Sequence, residues 1–310
     1  MRFCTDPNAP AVGRAYHRSV ARNPAADLRA TLAGVRGCIL DADGVLMFKG
    51  APIKGSPEAL VELRRRRIPY RVVSNFSSAH RSSLAAAFGK ATGQAVDGEE
   101  IITAASAAAA HTAREHTGQP ILVLAAPDAR REWAGQEVLS PDEADARSEP
   151  VAAVVIGDAG DDLSFRNVDI AFRQLHAGAE FVAMHRNPWW MTPKGFTLDA
   201  GAVVAGLEFA LGRKALICGK PSPLVFREAF EALRTELAAG PGQDGMGLLR
   251  FSEVAMVGDD ARTDLAPARR LRMRGVLVLT GKTSADEAAA AGVPPGEIAA
   301  SLSEVVGNLP

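Results

Sequence analysis

The stretch Gly37-Cys38-Ile39-Leu40-Asp41-Ala42-Asp43-Gly44-Val45-Leu46 contains a short apolar run that ends abruptly in two acids and a glycine. The apolar residues before Asp41 are typical of a strand buried on both faces, as in a parallel sheet. Asp41 would then lie at the carboxyl end of that strand, where ligands bind in open α/β sheets. Gly44 would let the backbone turn sharply and let a ligand come close.

The two carboxylates of this stretch are near enough to reach the same small volume. Asp41 and Asp43 would repel each other there unless a cation or a shared proton offsets their charge. A hard divalent cation with oxygen ligands, Mg2+, is the expected partner. The alternative is that Asp-x-Asp-Gly is only a polar turn after a strand, and this stretch by itself does not decide between the two.

Length, charge and cysteine content narrow the class of protein. With 310 residues the chain fits a two-domain enzyme, and its net charge of -1 argues against nucleic acid or a membrane surface as partner. No run has the length and apolarity of a transmembrane helix. Cys4, Cys38 and Cys218 are odd in number and lie far apart. Cys38 and Cys218 fall inside apolar runs and are expected to be buried free thiols, which predicts a reduced, cytoplasmic setting.

Further apolar runs predict more strands of the same sheet and a separate unit between them. The predicted core strands after the first are residues 70–73, 215–218, 253–257 and 275–279. Between residues 80 and 193, strands alternate with helices, including an alanine-rich helix over 99–116, which indicates a small α/β domain. The predicted organisation is an N-terminal arm (1–33), a core (34–79 and 194–310) and a cap (80–193).

Two segments have composition typical of irregular structure. Residues 1–33 are rich in Ala, Arg, Pro and Asn, which predicts a loose or partly helical arm, with a targeting role as the alternative. The glycine-rich residues 240–247 predict a surface loop.

Polar residues of particular kinds follow these predicted strands. The residues concerned are Ser74, Asn75, Lys220, Asp259 and Asp264. Because parallel strands end at one edge of a sheet, these side chains should meet Asp41 there. Capping of the next helix accounts for Ser77 and Ser78, but it accounts poorly for Ser74, which closes its strand.

This set of groups fits phosphoryl transfer, which needs neutralised charge and in-line positioning. The carboxylates can hold Mg2+, while Lys220, Ser74 and the backbone amides after Asp41 can hold a dianionic phosphate. One carboxylate is then free to act as a nucleophile and form an aspartyl phosphate. The other can protonate the leaving oxygen and later activate water.

In these motifs the sequence resembles the haloacid dehalogenase superfamily, and within it subfamily IIA, whose cap is inserted between the second and third motifs. The stretches that carry the resemblance are 41–46, 74–75, 219–223 and 258–264. The resemblance spans about residues 35–305. It implies a Rossmann-like parallel-sheet core with strand order 3-2-1-4-5 and an inserted α/β cap, and it leaves open a homodimer formed through the cap.

The resemblance implies a role for each motif residue of a Mg2+-dependent phosphatase. Asp41 would be the nucleophile and Asp43 the general acid/base, and Asp43 favours phosphatase over dehalogenase. The metal would be bound by the side chains of Asp41 and Asp259 and by the carbonyl of Asp43. Phosphate contacts would come from Gly44, Ser74, Asn75 and Lys220, and Asp264 would lie behind them, ordering water and Lys220.

The substrate stays open at this point, beyond a small phosphorylated molecule. Residues 185–190 and 195–202 are similar to the phospholysine phosphohistidine inorganic pyrophosphate phosphatase branch, whereas 212–214 are equally similar to the NagD-like nucleotide phosphatase branch. His185, Trp189 and Trp190 could contact substrate or pack at the border between domains. A non-catalytic phosphate or metabolite sensor is one alternative, and a phospho-accepting signalling domain is another, although that class needs neither Asp43 nor a cap.

Overall fold

The computed structural model describes residues 24–192, 195–239 and 248–310. The first 23 residues of the predicted arm and the predicted loop at 240–247 lie outside these ranges. The end of the arm is a helix whose side chains Leu28 and Leu32 are fully buried.

The described residues form fifteen strands. In chain order they are β1 (Gly37–Asp41), β2 (Met47–Phe48), β3 (Ala51–Pro52), β4 (Tyr70–Ser74), β5 (Ile101–Thr103), β6 (Ile121–Leu124), β7 (Val138–Leu139), β8 (Ala153–Ile156), β9 (Glu180–Ala183), β10 (Trp189–Thr192), β11 (Gly195–Leu198), β12 (Leu216–Ile217), β13 (Val254–Gly258), β14 (Arg274–Val278) and β15 (Ile298–Ala299).

Eleven α-helices connect these strands in the same described ranges. They are α1 (Pro24–Leu32), α2 (Ser56–Arg65), α3 (Arg81–Thr92), α4 (Ala104–Glu115), α5 (Pro141–Asp145), α6 (Phe165–His176), α7 (Ala200–Leu211), α8 (Pro223–Ala239), α9 (Ala266–Arg270), α10 (Ala285–Ala290) and α11 (Leu302–Asn308). A π-helical turn at Ala261–Leu265 precedes α9.

The first sheet is parallel and has the order β15-β14-β13-β1-β4-β5. The apolar strand β1 is buried along its whole length between β13 and β4, so the first motif ends at the middle of the sheet. The predicted order 3-2-1-4-5 is confirmed, with β15 added at one edge. A second sheet of order β12-β9-β8-β6-β7 is inserted into the chain, and it is also parallel.

The identity of the third core strand was predicted wrongly. That strand is β5 (Ile101–Thr103), which lies where the sequence predicted the start of a helix. The residues predicted for it, 215–218, form β12, which pairs with β9 in the second sheet. A short apolar run predicts a strand but carries no information on its partner, and here the N–H of Cys218 donates to the carbonyl of Ala183 at 2.9 Å.

The two sheets pack on each other through a shared cluster of buried apolar side chains. Ile39 and Val73 of the first sheet belong to the same buried cluster as Val155 and Val182 of the second. A hairpin of β10 and β11 lies beside these sheets, with Trp189 opposite Leu198. Residues that end or follow β4, β8 and β9 line one cavity, so carboxyl ends of strands from both sheets approach one region.

The helices and the cysteines bear on two predictions made from composition. Among the described residues, no helix is both long enough and apolar enough to cross a membrane. Cys38 and Cys218 are buried free thiols, as predicted, and burial raises the pKa of each to about 12.

Candidate active site

Asp41 and Lys220 form the centre of the site. The Nζ atom of Lys220 lies 2.6 Å from Oδ1 of Asp41 and 2.9 Å from Oδ1 of Asp264. All three side chains are buried. Asp41 ends β1, and its Oδ1 also accepts a hydrogen bond from the N–H of Ala42 at 2.7 Å. The ammonium group therefore bridges two carboxylates from distant parts of the chain.

Asn75 holds the backbone of Lys220 in place. Its Oδ1 accepts from the N–H of Lys220 at 2.6 Å, and its Nδ2 donates to the carbonyl of Lys220 at 3.0 Å. Gly219 makes this approach feasible, since a Cβ there would lie 2.6 Å from Asn75 Oδ1. The amide that follows β4 thus serves the lysine, and the other side chain at this strand end, Ser74, accepts from the N–H of Phe76 at 3.2 Å.

Asp259 follows β13 and is enclosed by two glycines. A Cβ on Gly44 or on Gly281 would lie 2.1 Å or 2.0 Å from its Oδ2. That oxygen accepts from the N–H of Lys282 at 2.7 Å. Its other oxygen, Oδ1, is buried and has no hydrogen-bond partner among the described residues. Gly44 also has φ +79°, a conformation that favours glycine, so the first motif leaves room for this carboxylate.

These carboxylates fit a divalent cation. One oxygen each of Asp41, Asp259 and Asp264 can be chosen so that all lie within 4.8 Å of one another. Carboxylate oxygens are the ligands that Mg2+ prefers, and the unpartnered Oδ1 of Asp259 is an acceptor to which a cation can bind. Asp260 differs, because its Oδ1 accepts from the N–H groups of Arg262 and Thr263 and caps the following turn.

The electrostatics of the cluster follow from burial. Burial raises the pKa of Asp264 to about 7, and the charge of Asp41 acts in the same direction. The nearby charge of Lys220 opposes this shift but does not cancel it. Burial likewise raises the pKa of Asp41 and of Asp259. Burial works against the charged form of Lys220, but Asp264 and Asp41 outweigh it and raise its pKa. Negative charge is in excess here, and a cation would offset it.

A cavity of about 630 Å3 lies beside this cluster and has walls from both sheets. Its first-sheet side includes Asp43, Ser74, Asn75 and Ser77, and its second-sheet side Asp158, His185, Asn187, Trp190 and Asp199. Asp43 is exposed to solvent, unlike Asp41. Of the three aromatic residues left open by the sequence, His185 and Trp190 line the cavity, while Trp189 packs edge-to-face on Phe196 at 4.8 Å.

The sequence predicted most of this arrangement but missed part of it. Asp41, Asp259 and Asp264 meet at the edge of the first sheet, as the strand-end argument predicted. Lys220 joins them, but the strand before it belongs to the second sheet and not, as predicted, to the first. Capping was the wrong explanation for Ser77 and Ser78, because the N-cap of α3 is His80, whose ring accepts from the N–H of Ser82.

The acids on the second-sheet wall were not predicted. Asp158 closely follows β8, so the strand-end rule that found Asp41 could have found it. Asp199 is the N-cap of α7 and carried no comparable signal.

Comparisons with known proteins agree with this architecture. Family models for a haloacid dehalogenase-like hydrolase and for a HAD-hydrolase-like domain match residues 38–138 and 217–305. The human phospholysine phosphohistidine inorganic pyrophosphate phosphatase is 32% identical over 81% of this chain and 85% of its own length.

Solved structures of phosphatases also superpose on this chain. The p-nitrophenyl phosphatase of Archaeoglobus fulgidus superposes with a TM-score of 0.75 at 26% identity, covering 88% of this chain and 98% of that one. A glycerol phosphate phosphatase from Mycobacterium tuberculosis, solved in complex with magnesium, superposes with a TM-score of 0.71 at 25% identity, over 89% of this chain and 77% of that one.

Proposed function

Since this chain belongs to the haloacid dehalogenase-like hydrolases and is a phosphatase of their subfamily IIA, we propose that it hydrolyses a small phosphomonoester through an aspartyl phosphate on Asp41 and requires Mg2+. The observation that carries the proposal is the bridge from Lys220 to Asp41 and Asp264 at 2.6 and 2.9 Å. A buried lysine held between two acids keeps its charge and fixes the nucleophile beside a phosphate site.

The side chains of Asp41 and Asp259 and the carbonyl of Asp43 would hold the metal, as the family resemblance implies. The unpartnered Oδ1 of Asp259 and the excess of negative charge support this assignment. A bound Mg2+ would neutralise charge on the phosphoryl oxygens during transfer.

In the first half-reaction, an oxygen of Asp41 attacks the phosphorus atom. Oδ1 of Asp41 is engaged by Lys220 and by the N–H of Ala42, and these contacts hold the carboxylate in place for the attack. As the new bond forms, the bond from phosphorus to the ester oxygen breaks, and the leaving oxygen takes the proton carried by Asp43. Asp43 lines the cavity beside the cluster, where it can meet a leaving group.

In the second half-reaction, Asp43 acts as a base. Its carboxylate takes a proton from water, whose oxygen attacks the phosphorus atom, and the bond between phosphorus and Asp41 breaks. Inorganic phosphate leaves and Asp41 returns as a carboxylate. Lys220 stays charged throughout, because its ion pair with Asp264 remains when Asp41 is phosphorylated.

We also propose that the inserted unit with the second sheet is the cap that determines which substrate binds. The predicted domains are a core of 34–79 and 194–310 and a cap of 80–193, and the sheets cross those bounds at β5 and β12. One wall of the cavity comes from residues that follow β8 and β9 and from residues in or next to the hairpin. Enclosure by a second unit excludes water and lets its side chains contact the leaving group.

The proposal is tested with purified protein and p-nitrophenyl phosphate, with and without Mg2+. We expect Mg2+-dependent turnover that falls by at least about 10,000-fold in Asp41→Asn, because the nucleophile is lost. Asp260→Asn is the matched control, since an asparagine there keeps the capping hydrogen bonds. Undiminished turnover by folded Asp41→Asn would exclude Asp41 as the nucleophile, and a wild-type protein that binds phosphate without turnover would favour the sensor. Nucleotides, sugar phosphates, a phosphoramidate and pyrophosphate then define the substrate.

A further inference from the structure

Ser77 and His185 line the cavity but lie outside the carboxylate cluster. Ser77 follows β4 of the first sheet and His185 follows β9 of the second, and the two residues are 5% and 2% exposed. The Oγ atom of Ser77 is 2.8 Å from Nε2 of His185. This hydrogen bond therefore joins the two sheets at the cavity wall.

The direction of the hydrogen bond follows from the other ring nitrogen. Nδ1 of His185 accepts from the N–H of Asn187 at 3.3 Å, so Nδ1 carries no proton. Burial lowers the pKa of His185, although Asp199 and Asp158 act in the opposite direction, which agrees with a neutral ring. A neutral ring then has its proton on Nε2, and Nε2 donates to Ser77.

This geometry excludes a serine nucleophile of the Ser-His-Asp kind. In such a triad the acid holds the proton on Nδ1, and Nε2 takes the proton of the serine. Here Asp199 Oδ1 is 3.6 Å from Nε2, the same nitrogen that contacts Ser77. Because Nε2 already carries a proton, His185 cannot act as the base for Ser77.

The hydroxyl group of Ser77 can therefore donate its hydrogen to an acceptor other than His185. In the described part of the chain, His185 is the hydrogen-bond partner of the Ser77 side chain, and the N-cap of α3 is His80. We propose that Ser77 donates a hydrogen bond to a phosphoryl oxygen of the phosphomonoester in the cavity and that His185 is the positioning residue that fixes this direction. This inference rests on the proposed function of the site.

The chemistry of the ligand agrees with this direction. The oxygens of a phosphate dianion are acceptors only, so a hydroxyl helps to bind them only when its hydrogen is free. His185 meets that condition by occupying a lone pair of Oγ. A hydrogen bond to a charged acceptor corresponds to a change of about 10- to 100-fold in an equilibrium constant.

The test measures the affinity of p-nitrophenyl phosphate for the Asp41→Asn protein, with kcat and KM measured separately in the wild-type background. In the Asp41→Asn protein, adding Ser77→Ala should raise Kd by about 10- to 100-fold. In the active enzyme, Ser77→Ala should raise KM by about 10- to 100-fold with little change in kcat. His185→Leu should raise the same quantities, and His185→Gln should restore them in part because its amide can donate. The double variant Ser77→Ala/His185→Leu should be no weaker than Ser77→Ala alone, since the two residues act through one hydrogen bond.

His111→Leu is the matched control, because His111 is also a buried histidine but bonds to Glu180 away from the cavity. It should leave Kd unchanged. An unchanged Kd in folded Ser77→Ala, or a loss in His185→Leu that His185→Gln does not reverse, would overturn the proposal. Failure of the proposed phosphatase activity can be told apart from failure of the Ser77 proposal, because the wild-type protein would then show no turnover.

Discussion

Two parallel sheets present strand ends to one cavity, and the two ends are held differently. At the first sheet, Asp41, Lys220 and Asp264 contact one another directly and are buried. At the second sheet, His185 is buried and contacts Ser77, but Trp190 lines the wall with 48% of its surface exposed. We infer that the first end is fixed for one chemical step and that an exposed side chain at the second end, such as Trp190, can change without loss of that step.

The largest effect is expected when the ammonium group that bridges Asp41 and Asp264 is removed. Lys220→Met leaves Asp41 and Asp264 buried side by side, so we expect a loss of about 3–5 kcal/mol in the free energy of unfolding. Urea unfolding with a chelator present measures it. Lys214→Met is the control, because its ion pair with Glu208 has an exposed lysine and should contribute about 1 kcal/mol or less. Equal losses in the two variants would contradict the difference in burial.

A second test compares two neighbouring aspartates, Asp259 and Asp260, at the end of the first sheet. Asp259→Asn removes a charge from the proposed metal site, so the Mg2+ concentration for half-maximal activity should rise by at least about 100-fold. Asp260→Asn keeps its capping role and should shift this concentration little. Metal titration of both variants with p-nitrophenyl phosphate distinguishes them. A larger shift in Asp260→Asn would mean that the metal is bound by Asp260 instead.

The smallest effect is expected at the second sheet end. Trp190→Ala removes an aromatic wall of the cavity and should change the kcat/KM ratio between a bulky and a small phosphomonoester by about threefold to tenfold. Trp189→Ala should leave that ratio unchanged, because its ring packs on Phe196 of the hairpin. If Trp189→Ala changed the ratio as much as Trp190→Ala does, the cavity wall would not be what sets selectivity.

The positions of site residues could be predicted from the sequence where one rule of sheet geometry determines them. Parallel strands end at one edge, so the acids after β1 and β13 could be predicted to meet. Lys220 joins them from the second sheet, because the strand before it, β12, pairs with β9. Partners of short strands could not be predicted, because the apolar content of 101–103 and 215–218 is alike and only the folded chain assigns each to a sheet. Ser77 was interpreted as a cap because its cavity-side partner, His185, lies 108 residues away.

The pair of hydrogen bonds between Asn75 and Lys220 has a consequence for the order of folding. It joins residues 145 positions apart, and the inserted second sheet lies in the loop between them. During synthesis Asp41 and Asn75 leave the ribosome long before Lys220, so the first strands must wait for the whole insertion before the cluster has its cation. A chain interrupted inside the insertion would lack β13 and would leave one side of the apolar strand β1 unpaired. We expect such fragments to be degraded rather than to persist as partly active protein.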